Sequence, residues 1–331
     1  MPIDPVAKEA RRIARRVAGR PERTPAGWRE QAARVNQALA ARFMAPAPEE
    51  VTTRDVRVPV EGAPPVRVRL YIPPTPATPH PQTMPTTPHT RRGALLTFFG
   101  GAFRQGGLDF PTVDIANRSR AHAAGIVVAA VDYALAPEHA YPVALRQGLA
   151  ALEWLWRSAS SVGIAPERLA IGGASSGANL AAAVALANRD SARAPLRLQL
   201  LEVPALDLTG GHLDRAIAWR MGAPPFLVAR GLRQIARDYL GDPALAREPL
   251  ASPLLAPDLA GLPPARIFAA QYDLLRGDAK AYAARLAAAG VDAQLKRFAG
   301  QTHESGAFTK ASPTAQRWEA GVVAELRALT A

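Results

Sequence analysis

A serine flanked by glycines lies between an apolar segment and an alanine-rich segment. The stretch "GASSG" (173–177) follows "RLAI" (168–171) and precedes a run of small apolar residues. A serine hydroxyl is a weak nucleophile unless a base and a fixed orientation activate it. A sharp strand-to-helix turn with small flanking residues provides that orientation. The spacing of the glycines predicts Ser175 as the nucleophile, with Ser176 as second candidate and an ordinary helix cap as the non-catalytic alternative.

Only one of the six histidines is well placed to activate this serine. In enzymes whose serine lies on such a turn, the chain order is serine, acid, histidine. Four histidines precede the serine and a fifth lies in a segment that interrupts the sheet pattern (His80, His89, His122, His139 and His212). The sixth, His303, lies in "FAGQTHE", directly after the last predicted strand. We therefore expect His303 to be the base.

The carboxylate that orients the histidine is expected at the end of the preceding strand. The apolar run "ARIFAAQYD" ends at Asp273, and Asp278 follows five residues later. Asp273 is favoured because it directly follows the strand. Asp278 is better placed to cap a helix that begins near Ala279.

These candidates depend on a sheet that brings strand ends together. Short apolar runs alternate with helical segments, which predicts a parallel sheet covered by helices on both faces. The runs are 94–99, 125–133, 168–171, 198–203, 265–273 and 293–298. Segments 51–60 and 66–72 have the alternating, β-branched pattern of an antiparallel pair, which precedes them. Residues 1–50 are predicted to be helical, and 208–247 interrupt the strand–helix alternation as an insertion above the sheet.

Composition limits the classes of function. The 331-residue chain is 48% hydrophobic, which is enough for a large α/β core, and it has no cysteine, which excludes a thiolate nucleophile and thiolate metal sites. There is no secretory signal pattern and no apolar run of membrane-spanning length. We expect a soluble, cytoplasmic protein without metal or organic cofactor. His80 and His89 lie in the Pro/Thr-rich segment 73–90, which favours a solvated loop over a metal site.

The net charge of +12 is concentrated near the N-terminus. The first 48 residues contain ten basic and four acidic residues, and Ile13 and Val17 lie one turn apart among the arginines. This pattern is typical of a basic amphipathic helix, which could attract anionic lipid or nucleic acid. No aromatic residues lie between the basic residues of segment 8–20, so a solvated helix face is favoured. No nucleic-acid partner and no stable membrane insertion are expected.

Five segments together resemble the hormone-sensitive-lipase-type esterases, the bacterial family IV carboxylesterases. They are "FFGGAFRQGGLD" (98–109), "VDYALAPEHAYPVAL" (131–145), "GGASSGANLAA" (172–182), "ASPLLAPDLAGLPPA" (251–265) and "YDLLRGDAKAYAARLAAAG" (272–290). The segment "DYALAPE" (132–138) is the most specific of them. The resemblance covers roughly residues 50–305. It implies an α/β-hydrolase fold with a catalytic domain (51–207 and 248–331) and a helical cap (1–50 and 208–247).

The resemblance also implies site residues. Ser175, Asp273 and His303 match the family's catalytic triad. The family's oxyanion hole corresponds to the backbone amides of Gly100, Gly101 and Ser176. Apolar residues of the loop and the cap are the substrate-binding candidates: Phe99, Ala102, Phe43, Met44, Trp219, Met221 and Phe226.

Several residues depart from the family pattern. The family's His-Gly-Gly-Gly loop reads Phe99-Gly-Gly-Ala, and phenylalanine cannot form the hydrogen bonds with which the histidine holds this loop. Ala174 replaces an aspartate, and Glu304 replaces a glycine beside His303. Glu202 replaces an apolar residue in the sixth strand, where a buried charge requires a partner.

The expected function is hydrolysis of short-to-medium acyl esters through an acyl-enzyme, with a small-molecule ester as substrate. A deacetylase or amidase, or an acyltransferase acting on a specialised metabolite, would use the same triad. A non-catalytic ligand-binding module on the same fold is the alternative of a different class. The resemblance further implies a homodimer paired through the last strand and helix.

Overall fold

The computed structural model describes residues 1–20, 22, 24–74, 91–191, 193–222 and 224–330. Most of the Pro/Thr-rich segment 73–90, including His80 and His89, lies outside these residues. In the described part of the chain, no helix is both long and apolar enough to cross a bilayer.

Eight strands form one mixed sheet in the order β1-β2-β4-β3-β5-β6-β7-β8. The strands are β1 (Thr52–Val58), β2 (Val66–Ile72), β3 (Arg92–Phe98), β4 (Val127–Asp132), β5 (Ile164–Ala174), β6 (Leu196–Glu202), β7 (Ala265–Tyr272) and β8 (Ala293–Thr302). The pairs β1–β2 and β2–β4 are antiparallel, and all later pairs are parallel. The sequence-based prediction of a mostly parallel eight-stranded sheet is confirmed.

Nine α-helices surround the sheet in the described residues. They are α1 (Pro5–Ala18), α2 (Pro25–Phe43), α3 (Pro111–Ala124), α4 (Val143–Arg157), α5 (Ser176–Ser191), α6 (Arg215–Arg220), α7 (Pro225–Leu240), α8 (Arg276–Ala288) and α9 (Pro313–Arg327). Three of them begin with a capping side chain followed by proline, at Asp4, Thr24 and Ser312. The cap side chain accepts a hydrogen bond from a backbone amide that has no partner within the helix, and the proline fixes the first helical φ angle. Together they favour the start of a helix at the proline.

The strand order fixes which helices share a face of the sheet. The connection from β3 to β4 runs in the opposite direction from those that join β4 to β8. Because such crossovers are right-handed, α3 lies on the face opposite to α4, α5 and α8. Helix α9 packs against α3. The carboxyl ends of the parallel strands therefore meet at one edge of the sheet, between the two helix layers. The strand order reverses at this point, and ligand-binding and catalytic sites usually form at such a reversal.

Candidate active site

Ser175 lies on a sharp turn between β5 and α5. Its φ of +56° is in the left-handed region, and its N–H donates to the carbonyl of Glu202 at 2.9 Å. This conformation is strained for a residue with a side chain, so the surrounding contacts must hold it. Gly177 allows the end of β3 to approach, because a Cβ there would lie 2.1 Å from the carbonyl oxygen of Phe98. The glycine spacing seen in the sequence thus corresponds to close backbone packing around the serine.

The structure brings Ser175, His303 and Asp273 into one chain of hydrogen bonds. His303 directly follows β8 and Asp273 directly follows β7, so both lie at the same sheet edge as Ser175. The Nε2 of His303 lies 2.9 Å from Oγ of Ser175, and its Nδ1 lies 2.7 Å from Oδ2 of Asp273. The carboxylate is buried and also accepts the N–H of Leu275. An imidazole held in this way can accept a proton from the serine.

The surroundings of His303 favour its protonated form. Burial lowers the pKa of this imidazole, but the charge and hydrogen bond of Asp273, with the charge of Glu304, outweigh burial and raise it to about 9. Glu304, which replaces a glycine of the family pattern, therefore contributes to the raised pKa of His303.

Asp278 has a different place from the expected helix cap. Helix α8 begins at Arg276, so Asp278 lies within its first turn rather than before it. Its carboxylate accepts the backbone N–H groups of Leu206 and Asp207 at 2.8 and 3.0 Å, which ties the loop after β6 to α8. Burial raises its pKa to about 7. The cap prediction was wrong because the helix starts one turn earlier than its sequence suggested.

Among the histidines that the structure describes, only His303 forms a hydrogen bond with Ser175. Nδ1 of His122 lies 3.2 Å from Oε1 of Glu50, and Nδ1 of His212 lies 2.8 Å from Oδ2 of Asp207. No group of three histidines and acids is close enough to hold a metal ion, as far as the described residues show.

The loop after β3 lies next to the serine turn. Gly101 makes this loop possible, since a Cβ there would lie 1.8 Å from the carbonyl oxygen of Gln105. The N–H of Gly101 donates to the Oγ of Ser176 at 3.1 Å. The amides of Gly100, Ala102 and Ser176 have no acceptor among the residues described. Of the three expected oxyanion donors, the amides of Gly100 and Ser176 are therefore free, and that of Gly101 is engaged by the hydroxyl of Ser176. The sequence suggested this hydroxyl only as an alternative nucleophile.

Phe99 is held by an aromatic stack. Its ring lies 4.2 Å from that of Tyr133, at an interplanar angle of 13°. The hydroxyl of Tyr133 donates to the carbonyl of Phe99 at 2.9 Å and lies 3.4 Å from Oγ of Ser176. The stacking on Tyr133 and the hydrogen bond from its hydroxyl thus hold Phe99, the residue that replaces the family's histidine.

A cavity of about 860 Å³ opens over Ser175. Its walls include residues of α1 and α2 and of the segment 208–247. Phe99, Ala102 and Met44 line it, as expected.

The structure does not bring four other substrate-binding candidates to this cavity. Phe43 is buried against Phe308, and Met221 lies outside the lining. Trp219 and Phe226 are each 68% exposed on the outer side of their helices. The inward positions of α7 are instead Ala229, Leu232 and Ala236. These assignments were wrong because the face that a helix turns inward depends on its packing, whereas the candidates were inferred from apolar character and position in the predicted cap.

Glu202 has the partner that its buried charge requires. Both of its oxygens accept from the guanidinium of Arg120, at 2.7 and 3.0 Å, and Nε1 of Trp318 donates to it at 2.7 Å. Arg120 also binds Glu319 on α9. This buried cluster joins β6, α3 and α9 directly below the serine turn and lines part of the cavity.

Known proteins share this fold and sequence pattern. Residues 95–306 match a family model described as an alpha/beta hydrolase fold. The carboxylesterase NlhH of Mycobacterium tuberculosis is 35% identical over 241 residues, covering 72% of this chain and 74% of the relative. The arylesterase of Saccharolobus solfataricus is 33% identical over 258 residues, covering 76% of each chain. A solved hyperthermophilic esterase from the archaeon Pyrobaculum calidifontis superposes with a TM-score of 0.85 and 29% identity over the full length of both chains.

The fold and the sequence similarity define the class of the protein. The chain belongs to the hormone-sensitive-lipase-type family of carboxylic ester hydrolases with the α/β-hydrolase fold.

Proposed function

We propose that this chain hydrolyses carboxylic esters of short to medium acyl length through an acyl-enzyme on Ser175. The observation that supports this most directly is the continuous contact from Ser175 Oγ through His303 to Asp273, with distances of 2.9 and 2.7 Å. A nucleophile, a base and a carboxylate that orients the base are the groups that acyl transfer by serine requires.

In the proposed acylation step, His303 takes the proton of Ser175 as the hydroxyl attacks the ester carbonyl. Asp273 holds the imidazole in the correct tautomer and stabilises its positive charge. The oxyanion is bound by the free amide of Ser176, at the start of α5, and by amides of the 100–102 loop. Donors fixed in advance around a developing charge usually contribute most to the rate.

The tetrahedral intermediate then loses the alcohol, which takes the proton from His303. Water enters, gives a proton to His303 and attacks the acyl-enzyme. Collapse of the second intermediate releases the carboxylic acid and returns the proton to Ser175. Every proton in this scheme moves through one imidazole.

The cavity supports the proposed size of substrate. Residues 1–50 and 208–247 supply part of its walls, which is the role we propose for them as a cap. About 860 Å³ of space, closed on several sides, can hold a short or medium ester but is too small for an extended triglyceride.

A fluorophosphonate probe and a panel of aryl esters of increasing acyl length test the proposal. We expect a covalent adduct on Ser175, hydrolysis that falls off at long acyl chains, and loss of at least about 10⁴-fold in kcat for Ser175→Ala. Ser160→Ala, which changes an exposed serine, is the matched control and should keep full activity. Folded protein that forms no adduct would indicate a ligand-binding module instead.

Two additions to the panel separate the reactions that share this chemistry. Acetylated amides cleaved faster than the matched esters would identify a deacetylase or amidase. Transfer of the acyl group to an added alcohol, in preference to water, would identify an acyltransferase.

A further inference from the structure

Two helices that wall the cavity also carry exposed basic residues. On α1, Ala7, Ala10 and Ala14 line the cavity, and on α7, Ala229, Leu232 and Ala236 do so. The exposed basic residues of α1 are Lys8, Arg12, Arg15 and Arg16, and those of α7 are Arg230, Arg233 and Arg237. The short helix α6 adds the exposed Arg215 and Arg220. Arg215 and Arg233 also line the cavity. Helices α6 and α7 contact each other, and we call their five arginines the basic outer face.

The charge of the basic outer face is not neutralised within the protein. None of its five arginines, and none of the four exposed basic residues of α1, forms an ion pair in the part of the chain that the structure describes. The acids of these segments are engaged elsewhere: Glu9 pairs with Arg42, Asp214 with Arg276, and Asp238 with Arg104. The face therefore presents uncompensated positive charge to solvent.

Large apolar side chains are exposed among these arginines. Trp219 and Phe226 are each 68% exposed and Leu227 is 53% exposed. Trp219 precedes Arg220, and Phe226 lies one helical turn before Arg230. No aromatic residues lie among the basic residues of α1, which is why a solvated helix is expected there. On α6 and α7, by contrast, exposed aromatic residues lie beside the arginines, outside the cavity that these helices wall.

We propose that the basic outer face binds peripherally to an anionic lipid surface, with Trp219, Phe226 and Leu227 entering the interface. Arginines would contact the lipid headgroups, and the aromatic rings would lie at the level between headgroups and acyl chains. A nucleic acid would satisfy the arginines but leave Leu227 and much of Phe226 without an apolar partner. A second copy of the chain would bring two equally charged faces together, which is unfavourable.

This binding would place the wall of the cavity against a reservoir of apolar esters. It requires no membrane-spanning segment. It is also independent of the proposed hydrolysis, because binding is measured with no substrate present, so the two proposals can fail separately.

The test is co-sedimentation of the purified protein with vesicles of phosphatidylcholine, alone or mixed with phosphatidylglycerol. We expect binding to the anionic vesicles only, weakened by salt. Arg230→Gln with Arg237→Gln changes two residues that do not line the cavity. Each basic residue near an anionic surface contributes about fivefold to binding, so the double variant should bind about thirtyfold more weakly. Arg54→Gln with Arg57→Gln removes the same charge from exposed positions on β1 and should bind like the wild type.

A second variant tests the apolar part of the proposal. Trp219→Ala with Phe226→Ala keeps every charge, so its low-salt binding should persist while the binding that survives high salt is lost. Three outcomes overturn the proposal: no binding to anionic vesicles, equal weakening by both arginine pairs, or binding to double-stranded DNA but not to vesicles. A dimer in sedimentation velocity that only the Trp219/Phe226 variant dissociates, without vesicle binding, would assign the face to a second copy.

Discussion

The hydroxyl of Ser176 accepts the backbone N–H of Gly101 at 3.1 Å, and this hydrogen bond joins the oxyanion loop to the residue beside the nucleophile. Ser176 is buried and Gly101 is half-buried, and both residues line the cavity. The family pattern has a histidine at position 99 that holds this loop through hydrogen bonds. Here Ser176 and the stacked pair of Phe99 and Tyr133 hold it instead.

Ser176→Ala is expected to lower kcat about tenfold and leave KM nearly unchanged. Loss of an oxyanion donor costs about 10²–10³-fold, and loosening the loop that carries the donors should cost less. Steady-state kinetics with one aryl ester measure both constants. Tyr133→Phe, which keeps the stack but removes the hydrogen bond to the carbonyl of Phe99, should lower kcat less than Ser176→Ala and also leave KM nearly unchanged. A rise in kcat for Ser176→Ala would show that the hydroxyl competes with the oxyanion for the Gly101 amide.

Asp273→Asn is expected to reduce kcat by about 10⁴-fold while the protein stays folded. The amide cannot stabilise the imidazolium and favours the wrong tautomer of His303. Single-turnover kinetics with an aryl ester measure the acylation step directly. Asp292→Asn, an exposed carboxylate that pairs with Arg266 at 2.9 Å, is a control that should retain activity. Near-normal turnover by Asp273→Asn would assign the orienting role to another carboxylate.

The activity should rise with pH, because only neutral His303 can accept the proton of Ser175. The raised pKa of His303, about 9, places the inflection of kcat/KM on the alkaline side of neutrality, with activity lost as the pH falls. Glu304→Gln removes one of the negative charges that raise this pKa, so the inflection should move to lower pH. A pH profile of kcat/KM for both proteins measures this. An inflection that stays in place in Glu304→Gln would mean that its charge is screened from the imidazole.

The sheet and the meeting of Ser175, Asp273 and His303 could be predicted from the sequence because both depend on local pattern and strand order. Apolar runs mark the strands, and parallel strands place their ends at one edge. The three residues then need only to follow the correct strands. Knowledge of side-chain orientation is not required.

The remainder of the site depends on orientation, which the pattern does not encode. Trp219 and Phe226 were expected at the cavity because they are apolar and lie in the predicted cap, yet they are exposed, and the smaller Ala229 and Leu232 line the cavity. The hydrogen bond of Ser176 to Gly101 joins residues 75 positions apart. The sequence shows that Glu202 departs from the family pattern, but it does not show that Arg120 is its partner. That pairing depends on which face of the sheet α3 covers.

Arg120→Met should destabilise the protein more than any exposed arginine change. Arg120 is the shared counterion of Glu202 and Glu319. Its removal leaves these two largely buried carboxylates without that positive charge. Breaking a buried pair from one side typically costs about 3–5 kcal/mol of unfolding free energy. The main-chain carbonyl of Glu202 also holds the N–H of Ser175, so kcat should fall as well.

Urea unfolding followed by circular dichroism measures the stability change. Arg157→Met breaks an exposed pair with Glu153 on α4 and should cost less than about 1 kcal/mol. The double change Arg120→Met with Glu202→Gln should recover part of the lost stability, since it also removes one of the unpaired charges. Equal, small losses for Arg120→Met and Arg157→Met would show that water reaches the cluster through the cavity and solvates both carboxylates.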